Sequence, residues 1–209
     1  MKNLDIENSL RIKGFKNIAC IDECGRGPFA GDVVAAAVIM PGDVQIEYLT
    51  DSKALSKVKM AKLEPEIKNV AIDYSIGIAT VEEIDVLNIK QATRLAMKRA
   101  VEGLNTKPDY LLIDGQEVID LPIEQESIIK GDLKCHGISA ASVLGKMFRD
   151  NKMKELDKEY DGVYGWARNA GYINNKHIEA CVKYGLTKHH RKSWSTYQKV
   201  LDEIKNKAN

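Results

Sequence analysis

Acidic residues recur in this sequence where an apolar, strand-like run ends. They are Asp22-Glu23 after 17–21, Asp114 after 110–113 and Asp132 after 127–130. Groups at the ends of adjacent strands in an open sheet converge on one crevice. Carboxylates about 4 Å apart repel by about 4 kcal/mol per pair at an effective dielectric near 20, so such a cluster requires a cation. All-oxygen ligands favour Mg²⁺ or Mn²⁺. The pattern therefore predicts a two-ion site suited to phosphodiester hydrolysis.

The same acids have simpler interpretations when each is taken alone. A single aspartate at a strand end is more often a turn former or a helix cap, and Asp132 in particular fits the start of a turn. Consecutive side chains on a strand point to opposite faces. Asp22 and Glu23 are therefore expected to share one site only if the strand breaks there, which Gly25 permits. Otherwise Glu23 is expected to contribute its backbone carbonyl or to contact substrate.

A glycine-flanked arginine follows the first acidic pair directly, as Gly25-Arg26-Gly27. Glycines let the backbone approach a ligand closely because they carry no Cβ. The exposed N–H and C=O groups of such a turn are able to bind a ribose 2′-hydroxyl, the group that distinguishes RNA from DNA. A hairpin turn without a ligand is the simpler interpretation, and proximity to the two acids favours the functional one.

The elements that must position these residues follow from the hydrophobic pattern. Five strands are predicted, at 17–21, 33–40, 72–79, 110–113 and 127–130, the first three as an antiparallel meander. Helices are predicted over 81–104 after a Thr80–Glu83 capping box, from near Ser139 onward, over 174–184 with Gly185 as C-cap, and over 195–205. This order predicts an α/β fold with a mixed sheet and helices packed on it.

Composition limits the class of protein. With 209 residues, 44% hydrophobic and 29% charged, the chain is expected to form one sizeable domain with a small helical appendage. The sequence contains no apolar run of membrane-spanning length and no signal peptide, which predicts a cytoplasmic location. Its four cysteines lack metal-ligand spacing, which favours reduced, apolar packing over a zinc site or a disulfide. The net charge of +1 gives no signal for a polyanionic partner, although 188–192 is a basic run.

Taken together and in order, these motifs resemble the ribonuclease HII family. The likeness extends over about residues 17–197, and no single motif is as specific as the ordered set. The matching segments are 21–28 with Ala30-Gly31 and the apolar run after it, Asp51-Ser52-Lys53 with Leu55-Ser56, Ile113-Asp114-Gly115, Lys130-Gly131-Asp132, 138–146 with Arg149-Asp150, Gly171-Tyr172, His177 and 190–194.

The resemblance implies a ribonuclease H-like five-stranded sheet flanked by helices, as a catalytic domain over 1–155, and a helical substrate-binding segment over 156–209. It implies a monomeric, metal-dependent endoribonuclease that cleaves the RNA strand of RNA–DNA hybrids and incises duplex DNA at embedded ribonucleotides. The products are expected to carry 3′-hydroxyl and 5′-phosphate ends, and the cofactor to be Mn²⁺ or Mg²⁺ in a two-ion site.

Residue roles carry over by position. The catalytic, metal-binding carboxylates are implied to be Asp22, Glu23, Asp114 and Asp132. The implied substrate contacts are Gly25, Arg26 and Gly27 at the ribonucleotide, Tyr172 stacked at the RNA–DNA junction, and Lys53, Ser139, Lys146 and Arg191 at phosphates. One departure is Ile173-Asn174 after Tyr172, where the family usually has Gly-Thr, because a β-branched residue restricts the backbone there. A core tyrosine is the simpler interpretation of Tyr172.

Two other functions are consistent with parts of the pattern. One is another ribonuclease H-like nuclease that cuts DNA structures, which would have no use for a 2′-hydroxyl reader. The other is a hybrid-binding protein without catalysis, which would be expected to lack at least one of the four carboxylates.

Overall fold

In a computed structural model, residues 4–208 of the chain are described, and within them five strands form one mixed sheet. The strands are β1 (Ile18–Cys24), β2 (Val33–Ile39), β3 (Asp73–Ala79), β4 (Tyr110–Asp114) and β5 (Glu124–Ile128). The helices are α1 (Asp5–Ile12), α2 (Lys57–Val70), α3 (Val81–Leu87), α4 (Ile89–Glu102), α5 (Gly131–Lys134), α6 (His136–Glu159), α7 (Trp166–Asn169), α8 (Asn175–Tyr184) and α9 (Ser195–Ala208).

The strand order across the sheet is β3-β2-β1-β4-β5. β1 pairs with β2 antiparallel and with β4 parallel, and β4 pairs with β5 parallel. β1 is therefore a central strand, and it and β2 are buried almost throughout. The predicted mixed five-stranded sheet flanked by helices is confirmed.

The chain divides into two compact units. The first comprises the described residues up to Cys24 together with Val34–Ile78 and Thr93–Met147. It has two hydrophobic clusters, one that includes Val38, Leu63 and Leu144, and one that includes Ile18 and Leu112. The expected domain boundary after residue 155 stays a prediction.

The second unit comprises Gly25–Val33, Ala79–Ala92 and the described residues from Phe148 onward. Its core is rich in aromatic side chains, and Phe29, Tyr164 and the wholly buried Trp166 are among its members. Such rings provide large apolar area for the core of a small, mostly helical body. None of the helices described combines the length and apolarity needed to cross a bilayer.

One predicted helix is two helices. The sequence predicted a single helix over 81–104, but α3 ends at Leu87 and α4 begins at Ile89. Asn88 separates them with a backbone φ of 71°, a left-handed conformation that asparagine tolerates better than most residues. Its side-chain oxygen accepts hydrogen bonds from the backbone N–H groups of Lys90 and Gln91 at 3.0 and 3.2 Å, and so caps α4.

The local signals at helix ends are confirmed. Thr80 and Glu83 form the predicted capping box at the start of α3. Gly185 follows α8 with a φ of 87°, as expected for a glycine C-cap. Four helices, α1, α2, α5 and α7, were not predicted from the sequence, and the long helix α6 begins at His136, earlier than expected.

Candidate active site

Three acidic side chains converge where β1 and β4 end. One carboxylate oxygen from each of Asp22, Glu23 and Asp114 lies within 4.8 Å of those of the other two. The parallel pairing of β1 with β4 runs from Ile18–Tyr110 to Ile21–Ile113. Because parallel strands end at the same edge of a sheet, the residues that follow the last pair, Asp22 and Asp114, emerge side by side.

Glu23 reaches this cluster without a break in the strand. β1 stays paired with β2 through Asp22, Glu23 and Cys24, so the expectation that both acids share a site only if the strand breaks was wrong. The pairing with β4 stops at Ile21. The longer glutamate side chain nonetheless brings one of its oxygens within 4.8 Å of an oxygen of Asp22 and of Asp114.

Asp132 approaches the same cluster through the short helix α5. The backbone N–H groups of Gly131 and Asp132 both donate to Oδ1 of Asp114, at 2.6 and 3.3 Å. The Ser139 hydroxyl donates to the carbonyl oxygen of Asp132 at 2.8 Å. Lys130, in a left-handed conformation with a φ of 56°, turns the chain from β5 into this helix. Asp114 therefore fixes the segment that carries Asp132.

Burial and mutual repulsion dominate the electrostatics of these acids. The pKa of Asp22 lies well above its usual range because of burial and then the charges of Glu23 and Asp114, only partly opposed by a hydrogen bond from Ser142. Burial, followed by the charge of Asp114, also raises the pKa of Asp132. A cation bound here would relieve this repulsion, and oxygen-only ligands suit a hard divalent ion. The donor set therefore fits the predicted metal site.

A lysine and a fifth acid belong to the same surroundings. Burial lowers the pKa of Lys53, but the charges of Asp51, Asp22, Asp132 and Asp114 outweigh burial and raise it. The Asp51 side chain accepts a hydrogen bond from the backbone N–H of Lys53 at 2.9 Å and is hydrogen-bonded to Asp132. Lys53 was expected from the sequence as a phosphate contact but Asp51 was missed, although the Asp-x-Lys spacing is a recognisable Asx-turn signal.

In the second unit, two buried arginines donate to backbone carbonyl oxygens of the loop that begins with the Gly25-Arg26-Gly27 turn. Arg191 donates to the carbonyl oxygens of Gly25, Arg26 and Gly31, the latter two at 2.8 and 2.7 Å. Arg149 donates to the carbonyl oxygens of Ala30 and Asp32, both at 3.1 Å.

The conformation of the turn depends on its first glycine. Gly25 has a φ of 90°, and a Cβ there would collide with the Arg149 side chain. Arg26 and Gly27, by contrast, are exposed. The backbone of the turn is thus fixed on one side and open on the other, as a backbone reading site requires.

Tyr172 lies against this turn and is not a core residue. A Cβ built on Gly27 would be 3.4 Å from Cε1 of Tyr172, and 51% of Tyr172 is exposed. The backbone next to it is fixed to the turn's own loop, since the carbonyl of Gly171 accepts hydrogen bonds from Phe29 and Ala30 at 2.9 and 3.1 Å. Ile173 is 46% exposed and so is not drawn into the core either. The interpretation of Tyr172 as a core tyrosine is wrong.

Comparison with known proteins gives the family. A sequence profile described as Ribonuclease HII matches residues 19–197. The chain belongs to the ribonuclease HII family. It is 48% identical to Ribonuclease HII of Vibrio vulnificus strain YJ016 over 189 residues, covering 90% of this chain and 91% of that protein. Membership implies a ribonuclease H-type nuclease that acts on RNA–DNA hybrids and depends on a divalent metal.

Solved structures agree on the ribonuclease H-like fold. The crystal structure of ribonuclease H2 from Pyrococcus horikoshii OT3 superposes with a TM-score of 0.77 at 23% identity, over 91% of this chain and 99% of that one. The crystal structure of Bst ribonuclease HIII in complex with Mn²⁺ superposes with a TM-score of 0.66 at 17% identity, over 92% of this chain and 71% of that one.

The remaining residues expected at phosphates fall into two groups in this ribonuclease HII-family chain. Lys53 is exposed and Lys146 half-buried, so both side chains are accessible. Ser139 and Arg191 are wholly buried, and their donors are directed at backbone carbonyl oxygens. Ser139 and Arg191 are therefore interpreted as residues that support the backbone, in place of the direct phosphate contacts expected from the sequence. Arg191 lies in a basic sequence run, and sequence charge alone does not reveal that its guanidinium faces inward.

Proposed function

We propose that this chain hydrolyses the RNA strand of RNA–DNA hybrids and also incises duplex DNA at single embedded ribonucleotides, leaving 3′-hydroxyl and 5′-phosphate ends. The observation that carries the proposal is the convergence of the Asp22, Glu23 and Asp114 carboxylate oxygens within 4.8 Å. Uncompensated, this arrangement is costly, and a phosphodiester-cleaving metal site is the chemistry that it fits.

Asp22, Glu23, Asp114 and Asp132 would hold two ions, Mg²⁺ or Mn²⁺. Oxygen-only ligands favour these hard cations, and the Mn²⁺ complex of the structurally similar Bst ribonuclease HIII is consistent with manganese. When bound, the ions would supply an activated water and would stabilise the charge on the leaving oxygen. The raised pKa values of Asp22 and Asp132 support the assignment, because buried, mutually repelling acids bind cations well.

The chain's own residues would perform the binding and orientation. Lys53 would neutralise a substrate phosphate near the carboxylates, and Lys146 a second one. The backbone of Gly25-Arg26-Gly27 would hydrogen-bond the ribose 2′-hydroxyl, since the turn is fixed from behind and its outer face is exposed. Arg191 would be a positioning residue for that turn, and Arg149 for the rest of its loop at Ala30 and Asp32.

Tyr172 would recognise the deoxyribose that follows the ribonucleotide. Its ring is half-exposed and lies against Gly27, the third residue of the turn. An aromatic ring stacked on that sugar would leave no room for a 2′-hydroxyl there, so it would favour an RNA-to-DNA junction. Ile173, although β-branched, is exposed beside it.

A cleavage assay with four matched duplexes tests the proposal. They are a continuous RNA–DNA hybrid, a DNA duplex with one ribonucleotide, the same duplex with a 2′-O-methyl group at that position, and an all-DNA duplex. We expect cleavage of the first two only, with Mg²⁺ or Mn²⁺ and not with EDTA, and fragment ends that accept 3′ extension and lose phosphate to a phosphatase at the 5′ side.

Variants make the assay specific to the site. Asp114→Asn is expected to abolish cleavage, whereas Asp43→Asn, a change at an exposed aspartate, is expected to leave it intact. Cleavage of the all-DNA duplex would favour a nuclease that cuts DNA structures. Metal-dependent binding of hybrids by the unaltered chain without any cleavage would favour a non-catalytic binding protein.

A further inference from the structure

A second cluster of potential ligands lies within the first unit, separate in its residues from the carboxylate site. Glu7 of α1, Cys20 of β1 and Cys135, which lies between α5 and α6, each offer a ligand atom within 4.8 Å of the other two. All three are at most 3% exposed. Both cysteines belong to an apolar cluster that includes Leu10, Ile18 and Ile138. The cysteines alone would be small apolar residues, as expected from the sequence.

Glu7 is the member that apolar packing does not explain. One of its oxygens, Oε1, accepts a hydrogen bond from the backbone N–H of Gly137 at 3.0 Å, near the start of α6. The other oxygen, Oε2, is buried and makes no hydrogen bond with any residue between 4 and 208. Leaving a buried polar atom unpaired costs about 1–3 kcal/mol, and more when the group is charged. A ligand that binds Oε2 would remove that cost.

Gly137 leaves room for the three side chains to meet. A Cβ at this position would collide with Sγ of Cys20 and would lie 3.8 Å from Oε1 of Glu7. In a tetrahedral site, ligand bonds of about 2.0–2.3 Å place ligand atoms roughly 3.5–3.8 Å apart. The cluster, with all its ligand atoms within 4.8 Å, needs to contract by at most about 1.3 Å to reach that spacing.

Cys20 and Cys135 are hydrogen-bonded to each other, so the unpaired atom of the second cluster is Oε2 of Glu7. A third cluster, in the second unit, differs because its ring nitrogens are hydrogen-bonded to neighbouring residues. His177, Cys181 and His190 are also buried together. However, Nε1 of Trp166 donates to Nε2 of His177 at 3.0 Å, and the backbone N–H of Thr187 donates to Nδ1 of His190 at 3.0 Å. The hydrogen of His190 is therefore on Nε2, which lies 3.2 Å from both Nε2 of His177 and Sγ of Cys181. These groups satisfy one another.

We propose that Glu7, Cys20 and Cys135 form a binding site for a thiophilic divalent cation of the Zn²⁺ class. Two thiolates and a carboxylate suit such an ion and not Mg²⁺, and a water molecule would complete four ligands. On binding, the two thiols release two protons to solvent, and the ion with its three anionic ligands carries a net charge of −1. That charge lies at the N-terminal end of α6, where the helix dipole stabilises it.

The consequence is a metal link between α1 and the strand and segment that carry the catalytic acids. Cys20 lies two residues before Asp22, and Cys135 three residues after Asp132. Because the site is wholly buried, loading requires local opening, for which the short helix α1 is the natural element. The ion is expected to stabilise the folded chain by mass action.

Cobalt absorption tests the proposal independently of nuclease activity. The full-length reduced chain is titrated with Co²⁺, which occupies zinc sites and reports its ligands. We expect one equivalent to produce a thiolate-to-cobalt charge-transfer band with the visible bands of a tetrahedral site, and Zn²⁺ to displace it. Co²⁺ bound only by the oxygen ligands of the carboxylate cluster gives no charge-transfer band. Absence of that band in the unaltered chain would refute the site.

Three variants identify which residues bind the Co²⁺ that gives the charge-transfer band. Glu7→Gln and Cys135→Ala are expected to weaken Co²⁺ and Zn²⁺ binding at least about tenfold, because even loss of an outer partner of a metal ligand costs about 10–100-fold. Cys181→Ala is the matched control, a buried cysteine in the other cluster, and is expected to retain the band. If Cys181→Ala loses the band and Cys135→Ala retains it, the cation site is the histidine cluster and the proposal is wrong.

Folding of each variant is checked by metal-free melting and by Mg²⁺-dependent cleavage, since none of these residues belongs to the proposed active site. If Cys135→Ala does not fold, Cys20→Ala and the nearly isosteric Glu7→Gln carry the test. Unchanged cobalt absorption in a folded Glu7→Gln would exclude the carboxylate and with it the proposed site.

Discussion

Replacement of Asp22 by asparagine tests whether the carboxylate cluster is strained without metal. The substitution keeps the size of the side chain and an oxygen able to accept the 2.8 Å hydrogen bond from the backbone N–H of Glu23. It removes one negative charge from a group of three whose oxygens lie within 4.8 Å. Two full charges at that separation repel by about 3.5 kcal/mol at an effective dielectric near 20. Because protons are shared within the cluster, we expect a gain in stability of about 1–3 kcal/mol.

The size of this gain is expected to depend on pH. The pKa of Asp22 is raised in the folded state, so the folded state holds the proton more tightly than the unfolded one. Below the usual carboxyl pKa, Asp22 is neutral in both states and the substitution changes little. As the pH rises from there through the raised pKa, the metal-free wild type loses stability that Asp22→Asn retains. The difference in stability should therefore grow from acid to alkaline pH.

Thermal melting in EDTA at several pH values measures this difference. For a chain of this length, about 1–3 kcal/mol corresponds to roughly 2–12 °C. Asp43→Asn, at an exposed aspartate, is the control and should melt like the wild type. In excess Mg²⁺ or Mn²⁺ the wild type should recover most of the difference, because the bound metal stabilises it by mass action. If Asp22→Asn melts below the wild type by the same margin at every pH, Asp22 is structural and the site is misassigned.

Three further predictions concern Lys53 with Arg191, Tyr172 and His190. Lys53→Ala should weaken hybrid binding and reduce the slope of its salt dependence by about one unit, because the exposed lysine contacts a phosphate. Arg191→Met should leave that slope unchanged, because it removes no phosphate contact. It should lower the free energy of unfolding in urea by about 3 kcal/mol or more, because it leaves buried carbonyl oxygens without a hydrogen-bond donor. The reverse pattern would restore Arg191 as a phosphate contact. Tyr172→Ala should reduce cleavage at a single ribonucleotide more than cleavage of a continuous hybrid, with little loss of melting temperature because the ring is half-exposed; equal loss on both substrates would remove it from junction recognition. Burial lowers the pKa of His190 to about 3. Its contribution to stability is therefore complete above pH 6.5 and should be lost by up to about 1.4 kcal/mol per pH unit as the pH falls toward 3. Between pH 7 and 5, the free energy of unfolding of His190→Asn, measured in urea, should depend on pH less steeply than that of the wild type, by up to about one proton.

The sequence by itself determined the local features and the order of the elements. The buried strand at 33–40, the Thr80–Glu83 capping box and the glycine after α8 were readable because each depends on residues within one or two turns of chain. Acidic residues after apolar runs were sufficient to predict a carboxylate cluster, because the ends of parallel strands meet at one edge of a sheet.

Some local features were nonetheless missed. Asn88 interrupts a hydrophobic pattern that continues at helical spacing on either side, so the pattern gave no sign that α3 ends there. The helix α2 contains Pro65, a residue that usually ends helices, and it was not predicted at all. In the first case the hydrophobic spacing concealed the end of a helix, and in the second the proline argued against a helix that is present.

Only the tertiary structure decided where individual side chains point. Glu23 and Asp22 meet Asp114, which lies about ninety residues away in the chain, because β1 and β4 pair in parallel and end at the same edge of the sheet. Arg191 is turned inward because the carbonyl oxygens of the 25–31 loop need donors, and nothing in its own neighbourhood of the sequence indicates that loop. The same holds for Glu7, whose partners Cys20 and Cys135 are brought to it by packing alone. Hydrophobic periodicity specifies which face of an element is buried, whereas the partner on that face is set by long-range packing.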